Sequence, residues 1–169
     1  THYGGGLFGT AGARLVFSKA KVLANTASER GAGIASVNAG RTILKNSLFA
    51  KNVSEVHGGG VFNEDTSPII TGCTIADNAA QFRGAGLYNV GTSQPPILDT
   101  ILYNNLPEEI GNTDNGRPLA NFSIIRGGLG SGVFNLDVDP LFVDPATDNY
   151  SLSTGSPAID QGADANVPE

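Results

Sequence analysis

The chain has 169 residues, 40% apolar and 7% aromatic, with no Trp, no Met and one Cys. A lone cysteine excludes an intrachain disulfide, and a net charge of −6 argues against nucleic acid as the main partner, which would demand a basic surface. The longest apolar runs are only a few residues, so there is no sign of a signal peptide or of membrane insertion. The charge is uneven: residues 1–126 carry ten bases and nine acids, residues 127–169 seven acids and no base. Such a shift marks two structural units. Thr1-His2-Tyr3 leads straight into a glycine motif, which reads as a fragment or processed chain, the remainder of a longer β-helix lying before it.

The first unit opens with Gly4-Gly5-Gly6-Leu7, continues through Phe17, Ala20 and Val22, and reaches Asn25. The same marks return in order. Glycine motifs start near 4, 31, 58 and 84, at intervals of 27, 27 and 26 residues. Leu7 is followed in register by Ile34, Val61 and Leu87, Phe17 by Leu44, Ile70 and Ile97, and Val22 by Phe49, Ile75 and Leu102. The small residues Ala20, Ser47, Cys73 and Thr100 form another column, which makes Cys73 a small core filler. Asn25, Asn52, Asn78 and Asn105 form a third kind of column.

Each unit holds runs of three to five β-favouring residues separated by Gly, Asn, Ser and Pro, and no long amphipathic helix. Three short strands per repeat cannot bury their inner face alone, but stacked repeats can. The expected fold is all-β: a single-stranded right-handed parallel β-helix of about four to five coils with a C-terminal capping segment. Stacking places equivalent residues about 4.8 Å apart. The four asparagines would then form a side-chain amide ladder, and the glycines would serve a tight bend or a close approach between coils.

Among outward positions, Arg30, His57 and Arg83 repeat just before a glycine motif. Stacked, they would repel by roughly 1 kcal/mol per adjacent pair in water, offset by Glu29 and Glu55 or by an anionic ligand. They are the candidate ligand-binding residues, either as solvated turn residues or as a subsite for acidic glycan. Asp77 would pair with Lys51, and Asp99 lies in a turn column with Lys19, Asn46 and Gly72. Val16, Ile43, Ile69 and Pro96 form an apolar column. It is either an exposed patch that suggests a partner or a sign that the register is off by one at this strand.

After Asn105 the register is lost and residues 106–118 read as an inserted loop, followed by a last strand near 122–125. Residues 127–169 form an acidic closing segment that would cap the open end of the helix. Its Asp137, Asp139 and Asp144, with Asp148, Asp160 and Asp164, are candidate Ca2+ ligands or, alternatively, turn caps. No cofactor motif is present.

The glycine triplets together with Phe49-Ala50-Lys51-Asn52 resemble the repeats of polymorphic outer-membrane proteins and related bacterial surface β-helices. The run Asp139-Pro140-Leu141-Phe142-Val143-Asp144-Pro145 through Gly155-Ser156-Pro157-Ala158-Ile159-Asp160 resembles the C-terminal part of the choice-of-anchor Q proteins, secreted bacterial β-helices. That resemblance implies a pectate-lyase-like fold and an extracellular or cell-surface location, and it transfers no catalytic residues. The expected function is a non-catalytic structural or interaction module, an adhesin-like scaffold that contacts polysaccharide or a surface protein. The alternative is a polysaccharide lyase or glycoside hydrolase of the same fold. Ice binding would need outward Thr ladders, and the column Lys21, Leu48, Thr74 and Ile101 is none.

Overall fold

The computed structural model describes residues 2–163 and is a parallel β-solenoid. Leu7–Thr10, Ile34–Val37, Val61–Glu64, Leu87–Val90 and Ile110–Asn112 stack into the first sheet. Leu15–Ser18, Thr42–Lys45, Ile69–Thr71, Pro96–Leu98 and Leu119–Asn121 form the second. Lys21–Leu23, Leu48–Ala50, Thr74–Ala76, Ile101–Tyr103 and Ile124–Ile125 form the third. A short fourth sheet holds Thr26–Ala27, Val53–Ser54 and Ala79–Ala80. All these ladders are parallel and in the register read from the repeat, for example Phe17 with Leu44, Ile70 with Ile97, and Val22 with Phe49.

The coil turns because single residues leave the β region at its corners. Between the second and third sheets the corner is Lys19, Asn46, Gly72, Asp99 and Phe122, with φ between 48° and 61°. The next corner is Ala24, Lys51, Asp77 and Asn104, with φ between 52° and 60°. One left-handed residue suffices to redirect a strand. The inward columns Ile34, Val61 and Leu87, Leu44, Ile70 and Ile97, and Phe49, Ile75 and Leu102 meet in one buried core, which Cys73 joins. Burial pushes the Cys73 thiol up to about 11, so it stays protonated and unreactive.

Two glycines of each motif have distinct tasks. The first (Gly31, Gly58, Gly84) takes φ between 58° and 65°. The third gives room: a Cβ on Gly33 would lie 2.4 Å from the carbonyl oxygen of Gly60 and 3.2 Å from Nδ2 of Asn52. Removing the side chain there lets the asparagine amide reach the neighbouring coil.

Residues 106–118 are not an insertion. Ile110–Asn112 continues the first sheet opposite Leu87–Asn89, and Leu119–Asn121 and Ile124–Ile125 continue the other two. Stacked partners are 23 residues apart here, as in Asn89 and Asn112, against 27 for Asn78 and Asn105. The fifth coil is therefore a shortened one. Its route from Asn105 to Ile110 omits most of the fourth strand and the glycine bend, which is why the periodicity breaks.

The closing segment does two jobs where one was expected. Its first part covers the open ends of the second and third sheets. Asn135 Oδ1 accepts the amide of Ser123 at 3.1 Å, its Nδ2 donates to the carbonyl of Ala120 at 2.7 Å, and Leu136 bridges Ile124. Its second part turns back along the flank of the helix. Phe142–Asp144 and Asn149–Leu152 form an antiparallel hairpin whose Tyr150 and Phe142 cover Ala50 and Ala76 on the outer side of the third sheet. Among the described residues no helix is long and apolar enough to cross a membrane.

Candidate functional site

The asparagine ladder is continuous. The Oδ1 of Asn52, Asn78 and Asn105 each accepts both the backbone amide and the side-chain Nδ2 of the asparagine in the preceding coil. Asn25 donates to Asn52 at 3.0 and 2.9 Å, Asn52 to Asn78 at 3.0 and 2.9 Å, and Asn78 to Asn105 at 3.0 and 2.8 Å. The remaining amide hydrogen is used as well: Asn52, Asn78 and Asn105 donate to the carbonyls of Val22, Phe49 and Ile75. Two further ladders were not legible as such. Asn63 donates to Asn89 and Asn89 to Asn112 inside the first sheet, at 3.0 and 2.9 Å. In the small-residue column the amides of Ala20, Cys73 and Thr100 donate to the hydroxyls of Ser47, Thr100 and Ser123.

The shortened fifth coil ends the first ladder with a carboxylate. Glu109 occupies the rung of the third glycine, since Leu87 donates to its carbonyl as Val61 donates to that of Gly86. Its buried carboxylate accepts the backbone amide of Asn105 at 3.2 Å and also its Nδ2. Burial raises the Glu109 carboxyl to about 7 against the opposing pull of Asn105 and Arg126. It forms part of the wall of a crevice of about 570 Å3 where the missing strand would run, with Glu108, Arg126 and Asp137 among the other lining residues. Nothing in the repeat pointed to Glu109, because the register is lost there.

The column Arg30, His57 and Arg83 is real as a backbone feature: with Tyr3 the three form consecutive parallel bridges along the edge of the first sheet. Arg30 and His57 lie over aromatic residues on that sheet's outer face. The Arg30 guanidinium sits 5.4 Å from the Phe62 ring centroid and 6.0 Å from that of Tyr3. The His57 ring stacks on Tyr88 at 4.3 Å and 12°, with Phe82 at 5.9 Å. Phe8, exposed, stacks on Tyr3 at 5.6 Å.

The electrostatics differ from three stacked cations. Burial, then Arg30 and Arg83, depress the His57 pKa, so the middle rung is neutral near pH 7. Its Nδ1 is buried without a hydrogen-bond partner among the described residues. Arg30 is compensated by Glu64 at 3.7 Å rather than by Glu29, which faces His2, or by Glu55. Arg83 is exposed, and its side chain makes no ion pair among the described residues. The edge thus presents one guanidinium without an ion pair among the described residues and one over aromatic rings, separated by a neutral imidazole. Arg and aromatic faces together recognise anionic groups on ring-shaped ligands.

Other expected pairings change. Lys51 pairs with Asp148 of the closing hairpin at 2.5 Å, not with Asp77. Asp77 instead accepts the hydroxyl of Tyr150 at 2.6 Å and Nδ2 of Asn104 at 2.5 Å. Burial and the Asp77 carboxylate push the Tyr150 phenol well above its ordinary range. Asp99, at its turn, accepts the amide of Ala163 at 2.8 Å. Asp137 accepts the amide of Gly127, Asp139 that of Leu141 two residues on, and Asp144 the hydroxyl of Thr147. Among the described residues no three His, Cys, Asp or Glu side chains are grouped as a metal ion requires. Asp164 lies outside the described residues. The Val16, Ile43, Ile69 and Pro96 column points outward, with Val16 57% and Ile69 38% exposed, while Ile70 and Ile97 beside them are buried. The register is therefore correct and the apolar stripe is on the surface.

No family model matches the chain, and no curated protein and no solved structure matches it.

Proposed function

We propose that this chain is a non-catalytic structural and interaction module of a secreted or cell-surface protein. On this reading it is a rigid spacer of adhesin type that offers the Arg30–His57–Arg83 edge to an acidic polysaccharide or a surface protein. The reading is supported by one observation above all: Arg30 and His57 laid on Tyr3, Phe62 and Tyr88 along a single edge, one rung per coil. The repeated polar columns, by contrast, are occupied in holding coil to coil. The reading also agrees with the resemblance of the repeats and the closing run to secreted bacterial β-helices of the choice-of-anchor Q kind. The test is retention on an immobilised anionic polysaccharide at low salt. Arg30→Ala/Arg83→Ala should elute markedly earlier than the parent chain, and unchanged retention would exclude acidic glycan as the ligand of this edge.

A polysaccharide lyase or glycoside hydrolase is the second reading. One observation favours it: a carboxyl held near 7 in an open crevice that Asp137 and Arg126 also line. New reducing or unsaturated uronate ends released from a panel of acidic glycans, lost in Glu109→Gln, would establish it in place of the spacer.

A further inference from the structure

The second sheet presents an outer face unlike any other part of the coil. Val16, Ile43, Ile69, Pro96 and Leu119 stack as five successive rungs, a ridge about 19 Å long at 4.8 Å per rung. Val16, Ile69 and Leu119 are 57%, 38% and 51% exposed. Two residues before the ridge, at the position that shares its side of the strand, three of the five rungs carry Arg14, Arg41 and Arg117, all exposed, and two residues after Ile43 stands Lys45. None of these four bases makes an ion pair among the described residues. In a chain of net charge −6, this is a basic, apolar surface. The ridge is aliphatic, whereas sugar rings are held by aromatic faces, so its chemistry suits protein.

The complementary surface is on the same molecule. The hairpin of the closing segment turns Phe142 and Tyr150 inward and leaves Leu141 and Val143 outward, 42% and 54% exposed. Asp139 accepts the amide of Leu141, Asp144 follows Val143 in the strand, and neither has a cationic partner among the described residues. Residues 127–169 contain no Lys or Arg. We propose that the basic ridge of one copy docks the acidic outer face of the closing hairpin of a second copy. The two patches differ, so the contact is heterologous: each copy keeps one patch free, and association propagates into an open chain. Apolar rungs supply the attraction, and the unpaired Arg and Asp side chains set the pairing and make it salt-sensitive.

Sedimentation velocity over the micromolar range tests this with three samples. The parent chain should form concentration-dependent oligomers at about 0.02 M salt that dissociate at about 0.5 M. Ile69→Lys/Leu119→Lys should sediment as a monomer, as should Leu141→Lys/Val143→Lys. All four positions are outward, and unchanged circular dichroism would show that the coils remain folded. Mixing the two variants should restore a discrete heterodimer and nothing larger, since each retains the patch the other lacks. A monomeric parent chain at low salt would overturn the proposal. So would oligomers that survive in the hairpin variant, the outcome for a ridge pairing with another ridge, and so would a mixture that stays monomeric.

Discussion

The coils and the closing hairpin hold themselves together by opposite means. In the coils almost every contact is between equivalent residues on neighbouring rungs, and each buried amide satisfies the next, so no single bond is special and charge contributes little. The hairpin is antiparallel and fastened to the flank by a few unlike pairs: Lys51 with Asp148, Asp77 with Tyr150, and Asp99 with the amide of Ala163. A repetitive stack spreads its stability over many identical interfaces, whereas a fastened strap can open locally without disturbing what it covers.

The largest test of that contrast removes one rung. Asn78→Ala deletes the acceptor of the Asn52 amide and side chain and the donor to Phe49 and Asn105, all buried. Denaturant unfolding should show a loss of about 3–5 kcal/mol, since buried polar groups are left unpaired. Asn25→Ala, at the half-buried first rung, should cost about 1 kcal/mol. Equal losses would mean that burial of the ladder is immaterial.

Glu109 gives a pH signature to the end of the ladder. Its folded pKa of about 7 lies above the unfolded value of 4.5. The folded state therefore holds more proton between those values, and stability conferred by this group declines as pH rises from about 4.5 to 7. Relative to Glu109→Gln, whose amide oxygen still accepts from Asn105, the parent chain should lose up to about 3 kcal/mol across that window and be flat above it. A parallel pair of stability curves would place the carboxyl in water.

The strap should respond on a smaller scale and in a different assay. Tyr150→Phe keeps the ring against Ala50 and Ala76 but loses the bond to Asp77, costing about 1 kcal/mol. Lys51→Ala removes a partly exposed ion pair and should cost between about 0 and 1 kcal/mol. Both should raise the rate of limited proteolysis near 139–160 while leaving the unfolding midpoint of the coils nearly unmoved. The smallest effect is expected at Cys73→Ser. Its column already holds Ser47, Thr100 and Ser123, so an oxygen there accepts the Ser47 amide better than sulfur does. The change in stability should be within about 1 kcal/mol.

These two regions also differ in how far the sequence revealed them. In the coils, equal spacing translates directly into stacking, so the inward columns and the Asn25 to Asn105 ladder could be read by alignment of the repeat with itself, as could the apolar column through Val16 and Ile69, but not which way that column faces. The fifth coil escaped because its deletion falls in the bend, where the marks that define the period lie, and residues 106–118 then looked like extra chain. Glu109 escaped with it. The column of Arg30, His57 and Arg83 was legible as a column, yet not the neutrality of His57, which depends on Tyr88 and Arg30 enclosing it. The strap was legible only as an acidic, proline-containing tail. Pairings such as Lys51 with Asp148 span 97 residues and carry no local signal.

Hydrogen exchange of individual backbone amides tests the central contrast most directly. The amides of Asn52 and Asn78, each donated to the next asparagine, should exchange only through global unfolding, with the slowest rates in the chain. Those of Asp148 and Ser153 in the closing segment should exchange through local opening, well before it. If the ladder amides and the hairpin amides share one protection level, the strap is an integral part of the stack, and the coils and the hairpin are not separately stabilised.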